Sequence, residues 1–222
     1  MEERKKERET TAWIEIIEAY FLPFIEFYFP DLYGYFTEHE YPRFEKRLFG
    51  NSTGLLVKSE ENHFHVIVQN REEENCSEQL FTWAVETYLE TGIFPATLLL
   101  LIDDNPDFYP RHFEIEAPGV YIRVSFNPAK LLYLKERIEV FSLRGNPFSF
   151  LSEAQLHINA LRCRRGSRRG ESNRRSRNVY SRSSFEELKK RLLYKLSREV
   201  FDSGCIRSLK KFLDRIIDPS TV

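Results

Sequence analysis

Residues 96–102, which read ATLLLLI, are the part of the sequence that most constrains the fold. Side chains alternate between the two sides of a strand, so a strand that is apolar throughout must be covered on both faces. Residues 54–59 (GLLVKS) and 63–69 (HFHVIVQ) read as two earlier strands joined by a polar turn. Residues 77–92 are predicted to form a helix, with Ser77 as its cap and Gly92 as its stop. The order strand, strand, helix, strand favours an α/β sheet layered with helices.

Other elements are predicted from apolar spacing and from helix-breaking residues. The first helix opens after Thr10 or Thr11, either of which can cap it, and Pro23 ends or kinks it. Asn146 and Pro147 stand at the start of a later helix. Two further strands are predicted over residues 112–116 and 120–126. The remaining helices are predicted over residues 24–29, 41–51, 128–137 and 146–162.

Charge is distributed unevenly along the chain. The 222 residues carry 33 Lys and Arg against 34 Asp and Glu, a net charge of −1. Residues 162–222 nevertheless hold 18 basic and 7 acidic residues, which leaves 15 basic and 27 acidic residues in residues 1–161. Such asymmetry favours a polyanionic partner for the basic part, or contact between the two parts.

Composition divides the chain into a core and appended segments. Ser184 and Glu187 form a capping-box signature at the start of the first of two amphipathic C-terminal helices. Low complexity and the absence of apolar periodicity mark the segment before them as a flexible linker. The predicted parts are a charged tail over residues 1–10, an α/β core over 11–161, an Arg-rich linker over 162–183 and a helical pair over 184–219.

Cysteine usage and the N-terminal composition favour an interior compartment. Cys76, Cys163 and Cys205 are far apart and form no CxxC pair, which disfavours a disulfide framework and a structural zinc site. The charged N-terminal stretch lacks the apolar region of a signal peptide, and the longest apolar run is too short to cross a bilayer. The sequence therefore predicts a soluble, cytoplasmic protein without membrane contact.

The strand predicted over residues 63–69 has one apolar and one mostly polar face. Its polar face carries the pair His63 and His65, and such an HxH pair can bind zinc or another transition metal. Because no third ligand is identified, two exposed or partly buried strand histidines without a metal are the favoured interpretation. The apolar face holds Phe64, Val66 and Val68, and the other face holds His63, His65, Ile67 and Gln69.

Asp103 and Asp104 directly follow the apolar strand. Ligands often bind at the carboxyl ends of strands in open α/β sheets, which makes the two carboxylates candidates for a site. Residues 103–110 (DDNPDFYP) are also typical of a turn, and turn chemistry is the favoured interpretation. The sequence contains no Walker loop, nucleophile elbow or HExxH motif.

The order of landmarks over roughly residues 12 to 219 resembles a known family. The landmarks are AWIEIIEAYFLPFIEFYFPDLY, the hairpin ending in HVIVQN, LLLLIDDNPDFYP, NPF and the terminal helical pair. They resemble a bacterial family of transposase-related proteins, the recombination-promoting (Rpn-like) nucleases of the PD-(D/E)XK nuclease superfamily. The resemblance implies an α/β restriction-endonuclease-like core, a mixed sheet flanked by helices whose second and third strands form a hairpin, with a C-terminal helical extension.

The resemblance also implies where a metal site would lie. Members place an Asp on the first hairpin strand and Glu-x-Lys or Glu-x-Gln on the second, and the two carboxylates hold Mg²⁺, which activates an attacking water. Gln69 matches the final position, and His65 matches a His commonly found before the Glu. The Glu position falls on Ile67 and the Asp position on or near Gly54. Neither residue offers a carboxylate, so the resemblance implies a nuclease fold with a degenerate active site.

Two further expectations concern substitutes and partners. Glu45 is a weak substitute candidate, and a solvent-facing charged pair with Lys46 or Arg47 is the favoured interpretation of this residue. Mg²⁺ is expected only if a rearranged site around Glu45 and Gln69 is active; otherwise no cofactor is expected. The protein is expected to act on or bind DNA with impaired catalysis, and the alternative is a non-enzymatic interaction or scaffold module with a protein partner. The sequence predicts no oligomeric state. Sequence-independent phosphate contacts are predicted for Arg162, Arg164, Arg165, Arg168, Arg169, Arg174, Arg175 and Arg177.

Overall fold

The computed structural model describes residues 2–38, 42–49, 52–167, 187–194 and 201–217. The strands are β1 (Arg43–Phe49), β2 (Ser52–Lys58), β3 (His63–Gln69), β4 (Ala96–Leu101), β5 (His112–Ala117), β6 (Val120–Ser125) and β7 (Asn127–Lys130). The α-helices are α1 (Glu2–Ala19), α2 (Phe21–Tyr28), α3 (Tyr33–Glu38), α4 (Cys76–Thr91), α5 (Lys135–Ser142), α6 (Pro147–Ser167), α7 (described over 187–194) and α8 (Ser203–Ile216). Short 3-10 helices span Pro30–Leu32 and Leu131–Tyr133.

A five-stranded mixed sheet in the order β1-β2-β3-β4-β7 forms the centre of the fold. Strands β1, β2 and β3 are antiparallel neighbours, and the predicted hairpin of β2 and β3 is confirmed. Helix α4 carries the chain from β3 to β4, which is parallel to β3, and β7 is parallel to β4. Strands β5 and β6 pair separately, as a two-stranded antiparallel sheet. The predicted α/β class, with a mixed sheet flanked by helices, is confirmed.

Two apolar clusters lie on opposite faces of this sheet. The larger cluster joins one face of β2, β3 and β4 to α1, α2, α6, α7 and α8. The smaller cluster joins the other face of β3 and β4 to α4. Every residue of β3 is buried, and so is all of β4 except Ala96. The central strands are therefore covered on both faces, as the apolar run over residues 96–102 predicts.

Trp13 connects the first helix to the last ones. Its indole ring packs edge-on against Phe212 of α8 with ring centroids 5.2 Å apart, and it stacks on Phe148 of α6 at 6.4 Å. Its Nε1 donates a hydrogen bond to Gln155 Oε1 of α6 at 3.2 Å. These contacts make α8 part of the same core as α1 and the sheet.

The helix predicted over residues 41–51 is wrong, because residues 43–49 form the strand β1. Phe44 and Leu48 are four residues apart, a spacing that a helix and a strand can both place on one face. Pairing decides between them, since β1 is hydrogen-bonded to β2 along its whole length, from Arg43 opposite Lys58 to Phe49 opposite Ser52. As the edge strand of the sheet, β1 carries charged side chains that typically protect such edges.

Three other helix boundaries differ from the predictions. Helix α1 begins at Glu2, so Thr10 and Thr11 lie inside it and do not cap it. Asn75 precedes α4 in place of Ser77, although its side chain makes no capping hydrogen bond. The helix predicted over residues 128–137 is wrong in its first half, which forms β7 and a 3-10 helix before α5 begins. The predicted stop of α4 at Gly92 is confirmed, with a φ of 75°.

Gly92 and Gly34 give a matched pair of glycine substitutions. A Cβ at either position would meet nothing within 4 Å, so only backbone conformation separates them. Gly92 is left-handed, and Gly92→Ala is expected to lower the free energy of unfolding by about 1–2 kcal/mol. Gly34 lies in α3, and Gly34→Ala is expected to raise the free energy of unfolding by about 0.5–1 kcal/mol. Urea denaturation measures both, and a change of the same sign in both variants would contradict the expectation.

Candidate functional site

The register of the β2–β3 hairpin places Gly54 directly opposite Ile67. These are the two positions at which the resemblance puts the metal-binding Asp and Glu. Ile67 is 1% exposed and packs in the smaller cluster with Cys76, Leu80 and Leu99. The location is therefore dry and apolar, and neither of the two residues supplies an oxygen ligand.

Gln69 ends β3 on the same face as Ile67, as the strand period predicts. It lies opposite Leu101 of β4, and its carbonyl oxygen accepts a hydrogen bond from the Ile102 N–H at 2.9 Å. The residue is 6% exposed. The structure thus brings Gly54, Ile67 and Gln69 together on one side of the hairpin, and their catalytic ancestry stays a prediction.

Glu45 lies on β1 opposite Leu56, and its carboxylate is already occupied by two cations. Lys58 Nζ donates a hydrogen bond to one carboxylate oxygen at 2.6 Å, and Arg47 Nε donates to the other at 2.8 Å. These two hydrogen bonds hold the pKa of Glu45 below its ordinary value. Two strand spacings and four residues separate Glu45 from Gln69, which puts their Cα atoms about 16 Å apart. One metal ion could not take ligands from both residues.

Arg47 is a partner of Glu45 that the sequence interpretation named, but its place on this face of the sheet was not predicted. It lies directly opposite Gly54, so Arg47, Gly54 and Ile67 form one row across three adjacent strands. Its guanidinium donates two hydrogen bonds to the carboxylate of Glu90 on α4, both at 2.7 Å. A protein cation is thus fixed beside the position at which the resemblance would place a metal ion. Period-two alternation in residues 43–49 is the signal that could have identified it.

His63 and His65 are buried between β3 and α4 in the neutral state. His65 Nε2 is hydrogen-bonded to Thr87 Oγ1 at 2.8 Å. Burial lowers the pKa of His65 to about 3, and the nearby charge of Arg47 and the ring of His63 lower it further in the same direction. Burial, Lys58 and Arg47 also lower the pKa of His63. Both histidines are more buried than the sequence interpretation expected, at 7% and 0% exposed, because α4 covers this face of β3.

Asp103 and Lys130 form a buried ion pair at the carboxyl ends of β4 and β7. Lys130 Nζ lies 2.5 Å from Asp103 Oδ1 and donates a second hydrogen bond to the Phe108 carbonyl oxygen at 3.1 Å. The Lys130 side chain has no exposed surface and that of Asp103 is 3% exposed. Asp103 Oδ1 also accepts from the Asn105 N–H at 2.9 Å, a contact of the predicted turn, whereas Asp104 is exposed. The sequence interpretation did not identify Lys130, because the strand that carries it was predicted as helix.

Arg162 is held by a buried carboxylate of the first helix. Its Nη1 donates to both carboxylate oxygens of Glu9, at 3.1 and 3.2 Å, and Gln155 Nε2 donates to the same carboxylate at 2.8 Å. Glu9 is 4% exposed. Contact between the acidic body and the basic C-terminal part, one of the two sequence-based explanations of the charge asymmetry, is therefore seen. The backbone of Arg164 and Arg165 continues α6, and Arg168, Arg169, Arg174, Arg175 and Arg177 lie outside the described residues.

The described thiols are not activated nucleophiles. Burial raises the pKa of the Cys76 thiol to about 12 and that of the Cys205 thiol to about 11. Both thiols are therefore protonated near neutral pH, and the thiolate is the form that reacts.

Two kinds of feature are absent from the part of the chain that the structure describes. No group of three or more His, Cys, Asp or Glu side chains in the described ranges is arranged to hold a metal ion. Within the same ranges, no helix combines the length and the apolar character that crossing a membrane requires.

Comparisons with known proteins return no relative of this chain. No family model, no curated protein and no solved structure matches it. The PD-(D/E)XK assignment therefore rests on the landmarks of the sequence and on the strand order of the sheet.

Removing Lys130 is expected to leave the Asp103 carboxylate buried without a cation, which destabilises the folded protein. Lys130→Met should lower the free energy of unfolding by about 3–5 kcal/mol, and adding Asp103→Asn should recover part of that loss because it removes the charge. The matched control is Arg71→Met, which breaks a pair with Glu73 (2.7 Å) that is partly exposed, and should cost less than about 1 kcal/mol. Equal losses in the two single variants, measured by urea unfolding, would contradict a buried ion pair.

Stability is expected to fall in mild acid because of His65. Its pKa is about 3 in the folded state against an ordinary value of 6.5, so between these pH values the unfolded chain binds a proton that the folded protein does not. The free energy of unfolding should therefore decrease as pH falls from about 6.5 towards 3, by up to about 1.4 kcal/mol per pH unit for this group.

His65→Gln should reduce that slope in urea titrations between the two pH values. His157→Gln, at a side chain that is 45% exposed, should leave the slope unchanged. A slope that His65→Gln does not alter would show that His65 titrates normally in the folded protein.

Proposed function

We propose that the protein has a PD-(D/E)XK nuclease-like fold, belongs with the recombination-promoting nucleases, and binds DNA without metal-dependent cleavage. One observation carries the proposal: Gly54 and Ile67 face each other on the hairpin, next to Gln69. The positions that would supply the catalytic carboxylates are thus adjacent in space, and both lack an oxygen ligand. The strand order supports the same assignment, because a mixed sheet with a hairpin of its second and third strands is what the resemblance implies.

The chemistry of the hairpin face supports loss of cleavage. Mg²⁺ requires oxygen ligands, and phosphodiester hydrolysis by this route needs the metal to activate water and to stabilise charge on the phosphate. Ile67 is packed in an apolar cluster, and Arg47 supplies a fixed positive charge in the same row of the sheet. Glu45 does not compensate, because its carboxylate is bound by Lys58 and Arg47.

DNA binding is supported by the charge of the C-terminal part. Residues 162–222 carry 18 basic and 7 acidic residues, and clustered Arg side chains bind phosphates without reading sequence. Arg162 is engaged with Glu9, so the phosphate contacts are assigned to the other members of the cluster. These are Arg164, Arg165, Arg168, Arg169, Arg174, Arg175 and Arg177.

The alternative of an interaction module that uses the apolar side of the C-terminal helices is not favoured. Leu209, Phe212 and Leu213 of α8 are buried in the larger cluster, as are Leu188 and Leu192 of α7. That apolar side is occupied by the protein's own core and is not available to a partner.

A supercoiled plasmid incubated with purified protein and Mg²⁺ or Mn²⁺ is expected to show no nicking above background. The same preparation should bind a short DNA duplex with an affinity that falls steeply as salt is raised, because each phosphate contact releases counterions. Gel electrophoresis measures nicking, and fluorescence anisotropy measures binding.

Gln69→Ala is the diagnostic variant for the cleavage assay. Divalent-dependent nicking by the unaltered protein that disappears in Gln69→Ala would overturn the proposed loss of catalysis. Nicking that persists equally in Gln69→Ala comes from a contaminating nuclease or from a site that does not use Gln69. If it remains constant per amount of protein after further purification, it also overturns the proposed loss of catalysis.

A further inference from the structure

The last helix has an apolar side in the core and a charged side in solvent. Cys205, Leu209, Phe212, Leu213 and Ile216 of α8 are buried. Every exposed residue between positions 207 and 215 is charged, and these residues recur at the spacing of one helix face. They are Arg207, Lys210, Lys211, Asp214 and Arg215.

Some of these cations are already neutralised within the protein. Arg215 Nη1 lies 2.6 Å and Lys211 Nζ 3.7 Å from Glu15 Oε2 on α1. Asp214, the acidic residue of this face, is paired with Lys189 Nζ of α7 at 2.9 Å. Lys211 and Arg215, which face α1, are therefore neutralised by Glu15, and Asp214 is neutralised by Lys189.

Other cations of these helices make no ion pair with any residue that the structure describes. Arg207 and Lys210 lie on α8, and Lys190 and Arg191 lie on α7, directly after Lys189; all of them are exposed. The Lys189–Asp214 pair holds the two helices side by side, and Lys210 is one helical turn from Asp214. We call Lys190, Arg191, Arg207 and Lys210 the basic helical surface.

The basic helical surface is held rigidly on the body of the protein. Asp202 caps α8, its Oδ1 accepting hydrogen bonds from the Gly204 and Cys205 N–H groups at 2.8 Å each. Phe212 packs on Trp13, and Leu192 of α7 is buried in the same cluster. Binding through these side chains would therefore require no ordering of backbone, which favours affinity.

We infer that the basic helical surface contacts the phosphate backbone of double-stranded DNA, at a site distinct from the Arg-rich cluster. The inference rests on the DNA partner of the proposed function and adds a second, preorganised contact to it. Arg207 and Lys210 are three residues apart and therefore lie on one side of α8. The exposed residues of α8 between positions 207 and 215 are all charged, and the exposed Tyr194 lies on α7 close in sequence to Lys190 and Arg191. The excess of cations that pair with no described residue makes phosphate the favoured ligand.

The test compares three charge-neutralised forms of the full chain in duplex titrations by fluorescence anisotropy over a range of KCl concentrations. The first replaces Lys190, Arg191, Arg207 and Lys210 with Gln, and the second replaces the members of the cluster over residues 164–177. The third is a matched control that removes four positive charges, as many as the first form loses, from exposed positions on other elements. It carries Arg43→Gln, Arg123→Gln, Lys135→Gln and Arg144→Gln.

The first form is expected to bind about tenfold more weakly near physiological salt, and its salt slope should fall by about 1 for each residue that contacts a phosphate. Lys210→Arg should retain the affinity. Unaltered binding by the first form, with weaker binding by the second, overturns the inference and leaves the proposed function standing. Equal weakening in the first form and the control overturns it in favour of general electrostatics. Failure of the unaltered protein to bind duplex overturns both DNA-binding statements.

The first form and the control differ from the unaltered protein only at exposed side chains, so their thermal unfolding should be unchanged. Far-UV circular dichroism of each form verifies this before titration. If the first form unfolds at a lower temperature than the unaltered protein, the single variants Lys210→Gln and Arg207→Gln replace it, with Lys210→Arg as the conservative comparison. Unchanged affinity in both Gln variants then overturns the inference.

Discussion

Burial of both faces of β3 and β4 is the constraint on which the rest of the structure depends. A strand covered on two sides has no solvent to satisfy its polar side chains, so each must find a partner inside or be replaced by an apolar residue. His65 meets the requirement by remaining neutral and bonding to Thr87 of α4. Ile67 meets it by being apolar. The helices on either side are arranged around these two strands.

The same constraint explains why an isoleucine is favourable at position 67. A carboxylate there, without a metal ion, would be a buried charge and would cost several kcal/mol. With Gly54 opposite, no second carboxylate is present to hold a metal that could offset that cost. A well-packed hairpin without carboxylates at positions 54 and 67 therefore satisfies this constraint, and Arg47 in the same row of the sheet is paired with Glu90.

Elements with an unambiguous pattern were predictable from the sequence, and the two edge strands of the five-stranded sheet, β1 and β7, were not. The apolar run of β4, the β2–β3 hairpin, the stop at Gly92 and the start of α6 follow from local residue chemistry; Asn146 Oδ1 accepts a hydrogen bond from the Phe148 N–H, as a capping residue does. Strand β1 mimics a helix through its charged residues. Strand β7 is short and contains Pro128, which edge strands tolerate and sequence patterns do not assign to strands. Whether a strand lies at the edge of a sheet depends on its neighbours, so the sequence of the segment carries little information about it.

The residues of the candidate site also fall into those that the sequence could place and those that it could not. Strand period predicted that Ile67 and Gln69 share a face, and the hairpin pairing places Gly54 opposite Ile67; their role in a metal site stays a prediction. Arg47 and Lys130 could not be placed, because each lies on a strand that was predicted as helix. The pairing of Arg162 with Glu9 joins residues 153 positions apart, and no local pattern carries information about such a contact.

The contact between α1 and α8 has a consequence for how the chain reaches its native state. Helix α1 is made first, yet Trp13 and the residues around it are covered by Phe212 and its neighbours, which are made about 200 residues later. During synthesis β2 and β3 can cover part of α1 early, but the surface around Trp13 that packs on Phe212 remains uncovered until α8 has been made. Such exposed apolar surface is what chaperones bind during folding.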